Sequence, residues 1–340
     1  MSAHFTKKIL IVSNNPFYGG GEVFILETIS KLKNFNIYYL VKNDELYDAL
    51  PKGRKNKFYK NTFWGQIKEM NGIIQMLSVS VVIFNGGSTL FFTLFVPSVK
   101  KILYRHTTNK SISIFKRWLY IPLLHFCYMV ADKIIHVSQY SLSEQKLAKQ
   151  KATYIHHGIY VLPYKSHEAK LPLNVLFVGR IDCSKGIDKI IKAFYFINKN
   201  LATLHIVGKG KQDDFIKMNT KTNVIHHGFQ KNLATYYESC DVFITLPIVE
   251  SFGLTVIEAM NHSKPIITTN VGAISEIVDK KNAFLVKRTV KDVKKVLQLI
   301  IDRPSQLNAM GIQSHNIVKQ KFNKEDTISK ISNILNSVLQ

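Results

Sequence analysis

Short apolar runs alternate along the whole chain with longer segments of helical periodicity. The first series is KKILIVS (7–13), NIYYLV (36–41), VVIFN (81–85), ILYRH (102–106) and KIIHVS (133–138). The second is NVLFVGR (174–180), TLHIVG (203–208), VIHHG (224–228), DVFITL (241–246) and PIITTN (265–270). Nearly continuous apolar strands that alternate with helices indicate parallel sheets covered on both faces. The pattern therefore predicts an α/β chain with two doubly wound, Rossmann-like parallel-sheet domains.

A polar segment with two prolines, IYVLPYKSHEAKLPLN at 159–174, separates the two series. We predict an N-terminal domain over 1–165 and a C-terminal domain over 166–320. The last stretch, 321–340, is expected to be a helix that packs back on the N-terminal domain. Helical spacing of apolar residues also predicts a helix near 22–33 and a helical tail over 314–340. Ligands of such folds bind at the carboxyl ends of strands, so motifs that directly follow a strand carry the most weight.

The charge balance narrows the classes of partner. The chain has 46 Lys and Arg against 23 Asp and Glu, a net charge of +23, and residues 1–170 alone have 23 basic and 9 acidic side chains. Such a field favours polyanions, which include nucleic acid, phosphorylated ligands and anionic membrane surfaces. The three cysteines, Cys127, Cys183 and Cys240, show no metal or redox spacing. They are typical of the reduced thiols of a cytoplasmic protein.

The apolar stretches are too short to cross a bilayer. The longest, at 88–96 and 118–131, fall below the roughly 18–20 residues that a spanning helix needs, and the first run, ILIV, is too short for a signal peptide. Basic and aromatic residues are mixed in KGRKNKFYK (52–60) with Phe63 and Trp64, and again in FKRWLY (115–120). This mixture suits an anionic membrane interface or nucleic acid. From the residues alone we expect a cytoplasmic protein, and both an anionic membrane surface and nucleic acid stay open as partners.

The most informative segment is IVESFGLTVIEAM at 248–260, directly after the predicted strand DVFITL. Pro247 ends this strand, and a helix is expected to begin near Phe252 or Gly253. The first amides of a helix are unpaired and carry partial positive charge, which makes an anion site. The amides near Gly253, Leu254 and Thr255 are therefore expected to bind a phosphate.

Two glutamates flank this anion site. Glu258 lies about one helical turn further on, where its carboxylate can accept hydrogen bonds from a diol such as a ribose. Glu250 precedes the helix and lies where the hydroxyls of a sugar would bind. In the loop VGRIDCSKGID (178–188), Arg180 and Lys185 follow another predicted strand. Such cations can neutralise a departing diphosphate, Arg as a bidentate fork and Lys as a point charge.

These segments together resemble the retaining glycosyltransferases of family 4, which have the GT-B fold. ESFGLTVIEAM resembles the family's E-x7-E motif, and VGRIDCSKGID resembles its Arg- and Lys-bearing loop. The segments IVGKG (206–210), HHGF (226–229), TNVGAISEIV (269–278) and DKIIHVSQYS (132–141) resemble further family motifs in the same order. The likeness covers most of the chain and is strongest over 175–280. It implies two Rossmann-like domains that face each other across a cleft.

The resemblance also implies roles for residues of the first domain. GGGE at 19–22 follows the first strand, and the family has a glycine-rich loop here that lies across the cleft near the donor phosphate and the acceptor. Gly20 and Gly21 are the expected contacts. The family places a histidine like His106 close to the sugar that is transferred. The expected catalytic residues are Glu250, His106, Arg180 and Lys185. The expected donor-binding residues are Gly20, Gly21, Arg180, Lys185, Phe229, Glu250, Ser251, Phe252, Gly253, Leu254, Thr255 and Glu258.

The sequence departs from the family pattern at three places. The acid that usually follows the histidine is Thr107, and the usual Asn-Gly-x-Asp before the linker reads His157-Gly158-Ile159-Tyr160. The serine expected shortly before Glu250 is missing in LPIVE. These changes bear on the choice of donor or acceptor and leave the core donor site intact.

The resemblance implies a transfer of a hexose or N-acetylhexosamine from a nucleotide-diphosphate sugar to a hydroxyl of a glycan or lipid-linked acceptor, in bacterial cell-surface polysaccharide or glycolipid synthesis. Because enzymes of this family often act on lipid-linked acceptors, it also implies an anionic membrane surface as a partner and a location on the inner face of the cell membrane. A nucleic-acid partner is not expected. UDP is the expected nucleotide, with base recognition near Phe229 and Gln230. No cofactor or metal is expected, because no Asp-x-Asp motif or zinc spacing occurs. Three alternatives stay open. They are a glycosidase that uses the two glutamates as acid and nucleophile, a sugar-nucleotide epimerase of the same fold, and a nucleic-acid-binding protein.

Overall fold

The computed structural model describes residues 7–96, 99–106, 114–166, 168–214, 216 and 222–340, and for 114–120 it describes the backbone alone. Contacts divide the chain into two compact units. The first unit is Met1–Gly158 together with Lys324–Gln340, and the second is Ile159–Asn323.

The first unit is built on a seven-stranded parallel sheet with the order β3-β2-β1-β4-β5-β6-β7. Its strands are β1 (Lys8–Ser13), β2 (Asn36–Val41), β3 (Lys55–Lys57), β4 (Val81–Asn85), β5 (Lys100–Arg105), β6 (Lys133–His136) and β7 (Ala152–Tyr154). The central strands β1 and β4 are buried almost throughout, since helices cover both faces of the sheet. The strand order reverses between β1 and β4, which are direct neighbours.

Helices follow the strands of the first unit. They are α1 (Gly20–Glu27), α2 (Asp44–Ala49), α3 (Phe63–Leu77), α4 (Ile114–Val130) and α5 (Gln139–Ser143), with 3-10 helices at Ile29–Lys31, Gly87–Phe95 and Lys149–Lys151. Helix α3 shows why these segments are helical. Thr62 caps its first turn by accepting a hydrogen bond from the amide of Gly65, and Ile67, Met70 and Ile74 recur at helical spacing on its buried side. Together with the 3-10 helix Gly87–Phe95 and α4, it covers one face of the sheet.

The C-terminal helix, Lys324–Leu339, belongs to the first unit by its contacts. The buried ammonium of Lys324 lies 3.1 Å from the carboxylate of Glu27 and 3.4 Å from the hydroxyl of Thr28. One turn later the hydroxyl of Thr327 donates to the carbonyl of His156. Burial of a lysine is costly unless the charge is paired, and Glu27 supplies that pairing.

The second unit contains a six-stranded parallel sheet with the order β10-β9-β8-β11-β12-β13. Its strands are β8 (Leu173–Val178), β9 (Ala202–Val207), β10 (Val224–His226), β11 (Val242–Thr245), β12 (Ile266–Thr268) and β13 (Ala283–Leu285). Its helices are α6 (Ile187–Phe194), Ala234–Ser239, Leu254–Asn261, Ile274–Ile277, Val290–Asp302 and Gln306–Lys321, with a 3-10 turn at Cys183–Lys185. Here the strand order reverses between β8 and β11.

All ten predicted strands are present, and the fold class is confirmed. Three further strands, β3, β7 and β13, were not predicted; each has three residues, and each lies at an edge of its sheet. Two helical predictions were wrong in extent. The helix predicted near 22–33 is α1, which begins at Gly20, ends at Glu27 and is followed by a 3-10 turn. The tail predicted as one helix forms two helices. The helical conformation is interrupted at Phe322 and Asn323, where Asn323 forms a β-bridge with Ile159.

Within the described part of the chain, no helix combines the length and apolar character that a bilayer crossing requires. The basic and aromatic segment at 52–60 lies within the described residues, and Phe63 and Trp64 are at the start of α3. The side chains of its counterpart at 115–120, and the threonine at 107, lie outside the described residues.

Candidate functional site

The topology gathers the predicted site residues at the two points where strand order reverses. In the second unit the loops after β8 and β11 carry Arg180, Lys185 and Glu250, and these strands are neighbours. In the first unit the segment after β1 carries the glycine-rich turn and the last residue of β4 is Asn85, and these strands are also neighbours. Open α/β sheets bind ligands at the carboxyl ends of the strands at such points.

In the second unit, Lys185 and Glu250 form an ion pair. The ammonium nitrogen of Lys185 lies 2.5 Å from Oε2 of Glu250, and the two side chains are 24% and 18% exposed. The partners are 65 residues apart in sequence, so only the fold joins them. A cation predicted to contact a diphosphate and an acid predicted to contact a sugar therefore touch each other directly.

Backbone hydrogen bonds hold the Lys185 turn against the end of β11. The amide of Leu246 donates to the carbonyl of Lys185 at 3.0 Å, and the amide of Ile248 donates to the carbonyl of Ser184 at 2.9 Å. The side chain of Arg288 also connects the two segments. Its Nε donates to the carbonyl of Leu246 at 2.9 Å, and its terminal nitrogen contacts the carbonyl of Cys183. Arg288 was not predicted, because no motif in the sequence lies near it.

Gly253 is the N-cap of the helix Leu254–Asn261, as the segment predicted. Its φ is +96°, a left-handed conformation that glycine adopts without steric cost. A Cβ at this position would lie 3.5 Å from Cγ of Glu250 and 3.2 Å from the side chain of Ile277. The glycine thus leaves room beside Glu250 at the point where the helix presents its first unpaired amides.

The backbone of Glu250 is fixed by the following loop. Gly272 packs so closely that a Cβ there would lie 2.1 Å from the carbonyl oxygen of Glu250, and the amide of Ala273 donates to that oxygen at 2.9 Å. Phe252 is buried, with its ring centroid 6.0 Å from that of Phe322. Its side chain therefore packs in the interior of the second unit, and Ser251, Leu254 and Thr255 are half-buried around the helix start.

Glu258 lies inside the helix and is oriented by a buried tyrosine. The hydroxyl of Tyr237 donates to Oε2 of Glu258 at 2.8 Å. Burial and the negative charge of Glu258 raise the pKa of Tyr237 well above its usual range, so the phenol stays protonated and acts as the donor. Tyr237 belongs to the helix Ala234–Ser239 and lies 21 residues before Glu258 in the sequence. No motif in the sequence predicted its role.

Arg180 lies on the same turn as Lys185. Its Nε is 2.5 Å from Asp182, which also caps the 3-10 turn by accepting from the amide of Ser184 at 2.9 Å. Burial of Asp182 acts against its ionisation, but hydrogen bonds from Ser184 and Arg180 outweigh burial and lower the pKa of Asp182. The guanidinium itself is largely exposed, so its remaining donors face solvent.

The residues predicted near the nucleotide base lie after β10. Phe229 is half exposed, and the ammonium of Lys209 is 5.7 Å from the centroid of its ring. Gln230 donates to the carbonyl of His227 at 2.8 Å, so its amide supports the local turn. An exposed aromatic ring beside a cation offers a stacking surface.

In the first unit, Asn85 connects Gly21 to His106. Its Nδ2 donates to the carbonyl of Gly21 at 3.3 Å, and its Oδ1 accepts from Nε2 of His106 at 2.7 Å. The asparagine orientation thereby assigns the proton of His106 to Nε2. A Cβ at Gly21 would lie 3.3 Å from both side chains, while one at Gly20 would meet no described atom within 4 Å.

His106 is held neutral in this cluster. Burial, with the adjacent charge of Arg105 as a smaller cause, lowers the pKa of His106 to about 3. Its ring stacks on Tyr104, with centroids 5.0 Å apart. Nδ1 is buried, and among the described residues it has no hydrogen-bond partner. It is therefore an acceptor suited to a hydroxyl of a ligand.

Glu22 fixes the glycine-rich turn itself. Its carboxylate accepts from the hydroxyl of Ser13 at 3.1 Å, from Nδ2 of Asn15 at 3.2 Å and from the amide of Gly19 at 3.1 Å. Burial raises the pKa of Glu22 despite these hydrogen bonds. Neither Asn85 nor Glu22 was predicted from the sequence. Asn85 could have been, because it is a polar residue at the end of the apolar strand VVIFN.

The described residues contain no group of three or more His, Cys, Asp or Glu side chains positioned to hold a metal ion. The two clusters thus consist of hydrogen-bonding groups and paired charges. The roles assigned above to individual side chains remain predictions.

Comparison with known proteins finds a family match within the second unit. Residues 164–316, somewhat under half of the chain, match the family described as Glycosyl transferases group 1. An uncharacterized glycosyltransferase of Haemophilus influenzae is 24% identical over 96% of this chain and 90% of its own length. The capsular polysaccharide biosynthesis glycosyltransferase CapM of Staphylococcus aureus is 25% identical over 48% of this chain. The chain spans about half the length of CapM and of several other curated relatives.

Among solved structures, Anabaena HepE in complex with UDP-glucose matches with a TM-score of 0.85. The match covers 97% of this chain and 99% of that chain at 17% sequence identity. At this identity the likeness establishes the fold. The chain therefore has the GT-B fold, and residues 164–316 are similar to the group 1 glycosyl transferases.

Proposed function

We propose that the protein is a retaining, metal-independent glycosyltransferase. It moves a hexose or N-acetylhexosamine from a nucleotide-diphosphate donor, for which we propose UDP, to an acceptor hydroxyl. The names of two similar proteins support this class of reaction, since CapM is a capsular polysaccharide biosynthesis enzyme and HepE is solved with UDP-glucose. Cell-surface polysaccharide or glycolipid synthesis is the process we propose.

One observation carries the proposal: Lys185, Glu250 and Gly253 meet at the β8–β11 reversal of the second unit. A diphosphate is an anion, and this place offers a cation, a helix start and a glycine that allows close approach. The carboxylate of Glu250 lies beside that anion site, where it can accept hydrogen bonds from sugar hydroxyls. A glycosidase would need none of the cationic groups.

In the reaction that we propose, the acceptor hydroxyl oxygen forms a bond to the anomeric carbon. The bond from that carbon to the β-phosphate oxygen breaks, and the hydroxyl proton passes to the departing diphosphate. Arg180, Lys185 and the first amides of the helix Leu254–Asn261 stabilise the negative charge that develops on the leaving group. Departure and attack on one face of the sugar retain its configuration without a protein nucleophile. The positive charge comes from these side chains, so no metal is needed.

The first unit, taken by itself, offers hydroxyl-binding groups. Nδ1 of His106 and the space beside Gly20 suit an uncharged sugar or acceptor hydroxyl. We propose a glycan or lipid-linked acceptor, and an anionic membrane surface as a further partner of this unit. Localisation on the inner face of the cell membrane follows from that partner.

A thermal-shift screen with UDP, GDP, dTDP and ADP sugars tests the donor class. A sugar nucleotide that binds this site should raise the melting temperature, since a ligand that binds only the folded state stabilises it. Product analysis by NMR then distinguishes the reactions. A glycoside with the anomeric configuration of the donor, formed in the presence of a chelator, supports the proposal. An inverted product contradicts retention, and conversion of the donor without any acceptor identifies an epimerase.

Replacement of Glu258 tests the ribose contact. Glu258→Ala should weaken nucleotide binding by about 10- to 100-fold, the effect of losing a charged hydrogen-bond acceptor. Tyr237→Phe removes only the hydrogen bond that orients this carboxylate and should weaken binding by less than tenfold. Isothermal titration with the nucleotide found in the screen measures both. Unchanged affinity of Glu258→Ala would eliminate the ribose role.

A further inference from the structure

A second cavity of the second unit lies at the sheet edge opposite Glu250. It has a volume of about 270 Å³ and is bounded by the end of the helix Ala234–Ser239 and by the turn after the helix Leu254–Asn261. These two elements lead into the amino ends of β11 and β12, which are parallel neighbours, whereas Glu250 follows the carboxyl end of β11. The cavity is therefore separate from the cluster of Lys185 and Glu250.

Hydrogen bonds fix the apolar wall of this cavity, to which Leu162 and Pro163 contribute. The side chain of Asn261 accepts from the amide of Leu162 at 3.1 Å and donates to the carbonyl of Tyr160 at 3.0 Å. From the other side, Nε2 of His315 donates to the carbonyl of Leu162 at 2.8 Å. The wall is thus held in place by the fold itself, and ligand pockets are usually preformed in this way.

A buried lysine lines the cavity. Lys264 is 2% exposed, and among the described residues its ammonium donates one hydrogen bond, to the carbonyl of Glu238 at 3.0 Å. An ammonium group has three donors. Burial lowers the pKa of Lys264, although the negative charges of Asp241 and Glu238 act in the opposite direction. A buried cation that its surroundings stabilise only in part favours the binding of an anion.

Two further basic side chains line the same cavity. Lys165 pairs with Glu238, the one carboxylate among the described lining residues, with its Nζ 3.0 Å from Oε1. These side chains are 75% and 48% exposed, so their ion pair adds little stability and Lys165 is available to a ligand. The ring of His262 stacks on that of Tyr237, with centroids 5.4 Å apart. Three basic side chains therefore line one cavity with a single carboxylate.

The backbone of Ser263 supports a role for its hydroxyl group. Its φ is +60°, in the left-handed region that glycine usually occupies just after the end of a helix. A side chain makes this conformation costly, and strained residues of this kind cluster at binding and active sites. Ser263 and Ser166 both line the cavity, so hydroxyl groups accompany the lysines there.

The size and chemistry of the cavity select one class of ligand. Its volume admits a small molecule and no macromolecule. Ammonium groups act as point charges that bind phosphate, whereas the planar fork of arginine, which matches a carboxylate, is absent from the described lining residues. We propose that the cavity binds a small phosphate monoester. Its phosphate contacts Lys165, Lys264 and the serine hydroxyls, and its organic part packs against the apolar wall.

Isothermal titration of the full chain with phenyl phosphate tests the proposal. The titration uses a Lys185→Ala background, because Lys185 belongs to the other anion-binding cluster of this unit. We expect saturable binding with a Kd below about 1 mM. Inorganic phosphate lacks the organic part and benzoate lacks the phosphate, so each should bind about tenfold more weakly or less.

Ser263→Gly is the most informative variant, because glycine relieves the left-handed strain and also removes the hydroxyl. It should raise the melting temperature and weaken phenyl phosphate binding by about three- to tenfold. Lys264→Gln should weaken binding by about tenfold or more, since it removes the buried cation. Lys170→Gln is the matched control, because Lys170 is exposed and pairs with Glu168 outside the cavity, and it should bind as the background protein does.

Three results would overturn the proposal. The first is an absence of saturable binding, or an affinity that neither Ser263→Gly nor Lys264→Gln changes. The second is equal binding of benzoate, which assigns the cavity to carboxylates. The third is equal binding of inorganic phosphate, which assigns it to the free ion. No sugar nucleotide is present in these titrations, so their outcome is independent of the proposed transfer reaction.

Discussion

The two candidate clusters lie at equivalent places in their sheets but differ in the charge state of their ionisable groups. In the second unit the groups are charged and paired with one another: Lys185 with Glu250, and Arg180 with Asp182. In the first unit the ionisable groups are driven toward their neutral forms, since burial raises the pKa of Glu22 and lowers that of His106 to about 3. Both clusters lie where the strand order reverses.

This difference indicates different ligands. A site of paired charges can exchange its internal ion pairs for contacts with a charged ligand, as a diphosphate requires. A buried histidine that is held neutral, such as His106, is better suited to an uncharged ligand, such as a sugar hydroxyl, than to an ion. The same architectural position thus presents two different sets of binding groups, and the side chains at the strand ends determine which.

The largest expected effect comes from Lys185. Lys185→Ala removes the cation that we propose for the leaving group and leaves the largely buried Glu250 without this ion pair, so kcat/KM should fall about 10³-fold. Steady-state kinetics with the donor identified by the screen measures this. Lys189→Ala is the control, because Lys189 lies one turn away and pairs with Asp188 outside the cluster. A loss below tenfold for Lys185→Ala would remove the diphosphate role from this side chain.

A smaller effect is expected from Asn85. Asn85→Ala breaks the contacts to both Gly21 and His106, so His106 loses its fixed orientation. We expect kcat to fall roughly 10- to 30-fold while nucleotide affinity, measured by calorimetry, stays unchanged. That combination distinguishes positioning of a hydroxyl-binding group from damage to the donor site.

Two further variants sharpen the Asn85 result. Asn85→Asp can still accept from His106 but cannot donate to Gly21, so it should recover part of kcat. Asn56→Ala removes an asparagine amide that donates to the carbonyl of Tyr39, away from the cluster, and should leave kinetics unaltered. Weaker nucleotide binding in Asn85→Ala would refute the division of labour between the two clusters.

The sequence predicted the central strands and one edge strand, β10, but missed the other three edge strands, for a physical reason. Central strands such as VVIFN are buried on both faces and therefore read as unbroken apolar runs. Strand β3 is Lys-Asn-Lys, three half-buried residues at the sheet edge, where no apolar pattern is required. Helix α1 was predicted too long because its apolar spacing continues through Ile29, although the chain there forms a 3-10 turn.

For the candidate site, the sequence predicted features set by neighbouring residues but not contacts between residues far apart in the chain. Gly253 was predicted at a helix start because the strand, the proline and the glycine are adjacent in sequence. Tyr237 and Arg288 gain their places only through folding, which brings Arg288 to the carbonyl of Cys183 across 105 residues. The ion pair between Lys185 and Glu250 was likewise not predicted, although both residues were singled out. A single sequence contains no record of such pairings.

The smallest expected effect concerns pH and tests the neutrality of the first cluster. The folded protein keeps His106 neutral down to about pH 3, whereas the unfolded chain protonates it near its ordinary pKa of 6.5. Between these values the unfolded state binds more protons, so the free energy of unfolding should rise with pH across this window. His136 and His157 of the same unit, whose pKa values are also lowered by burial, add to the slope.

His106→Gln isolates the contribution of His106, since the amide nitrogen of glutamine can still donate to Asn85 but does not titrate. Urea unfolding at pH 5 and pH 7 should show a smaller difference in the free energy of unfolding for this variant than for the wild type. His125→Gln is the control, because His125 is half-buried on α4 and no contact among the described residues joins it to Asn85 or His106. If the two variants show the same pH dependence, His106 titrates freely in the folded state. The contrast between a neutral and a charged cluster would then rest on Glu22 alone.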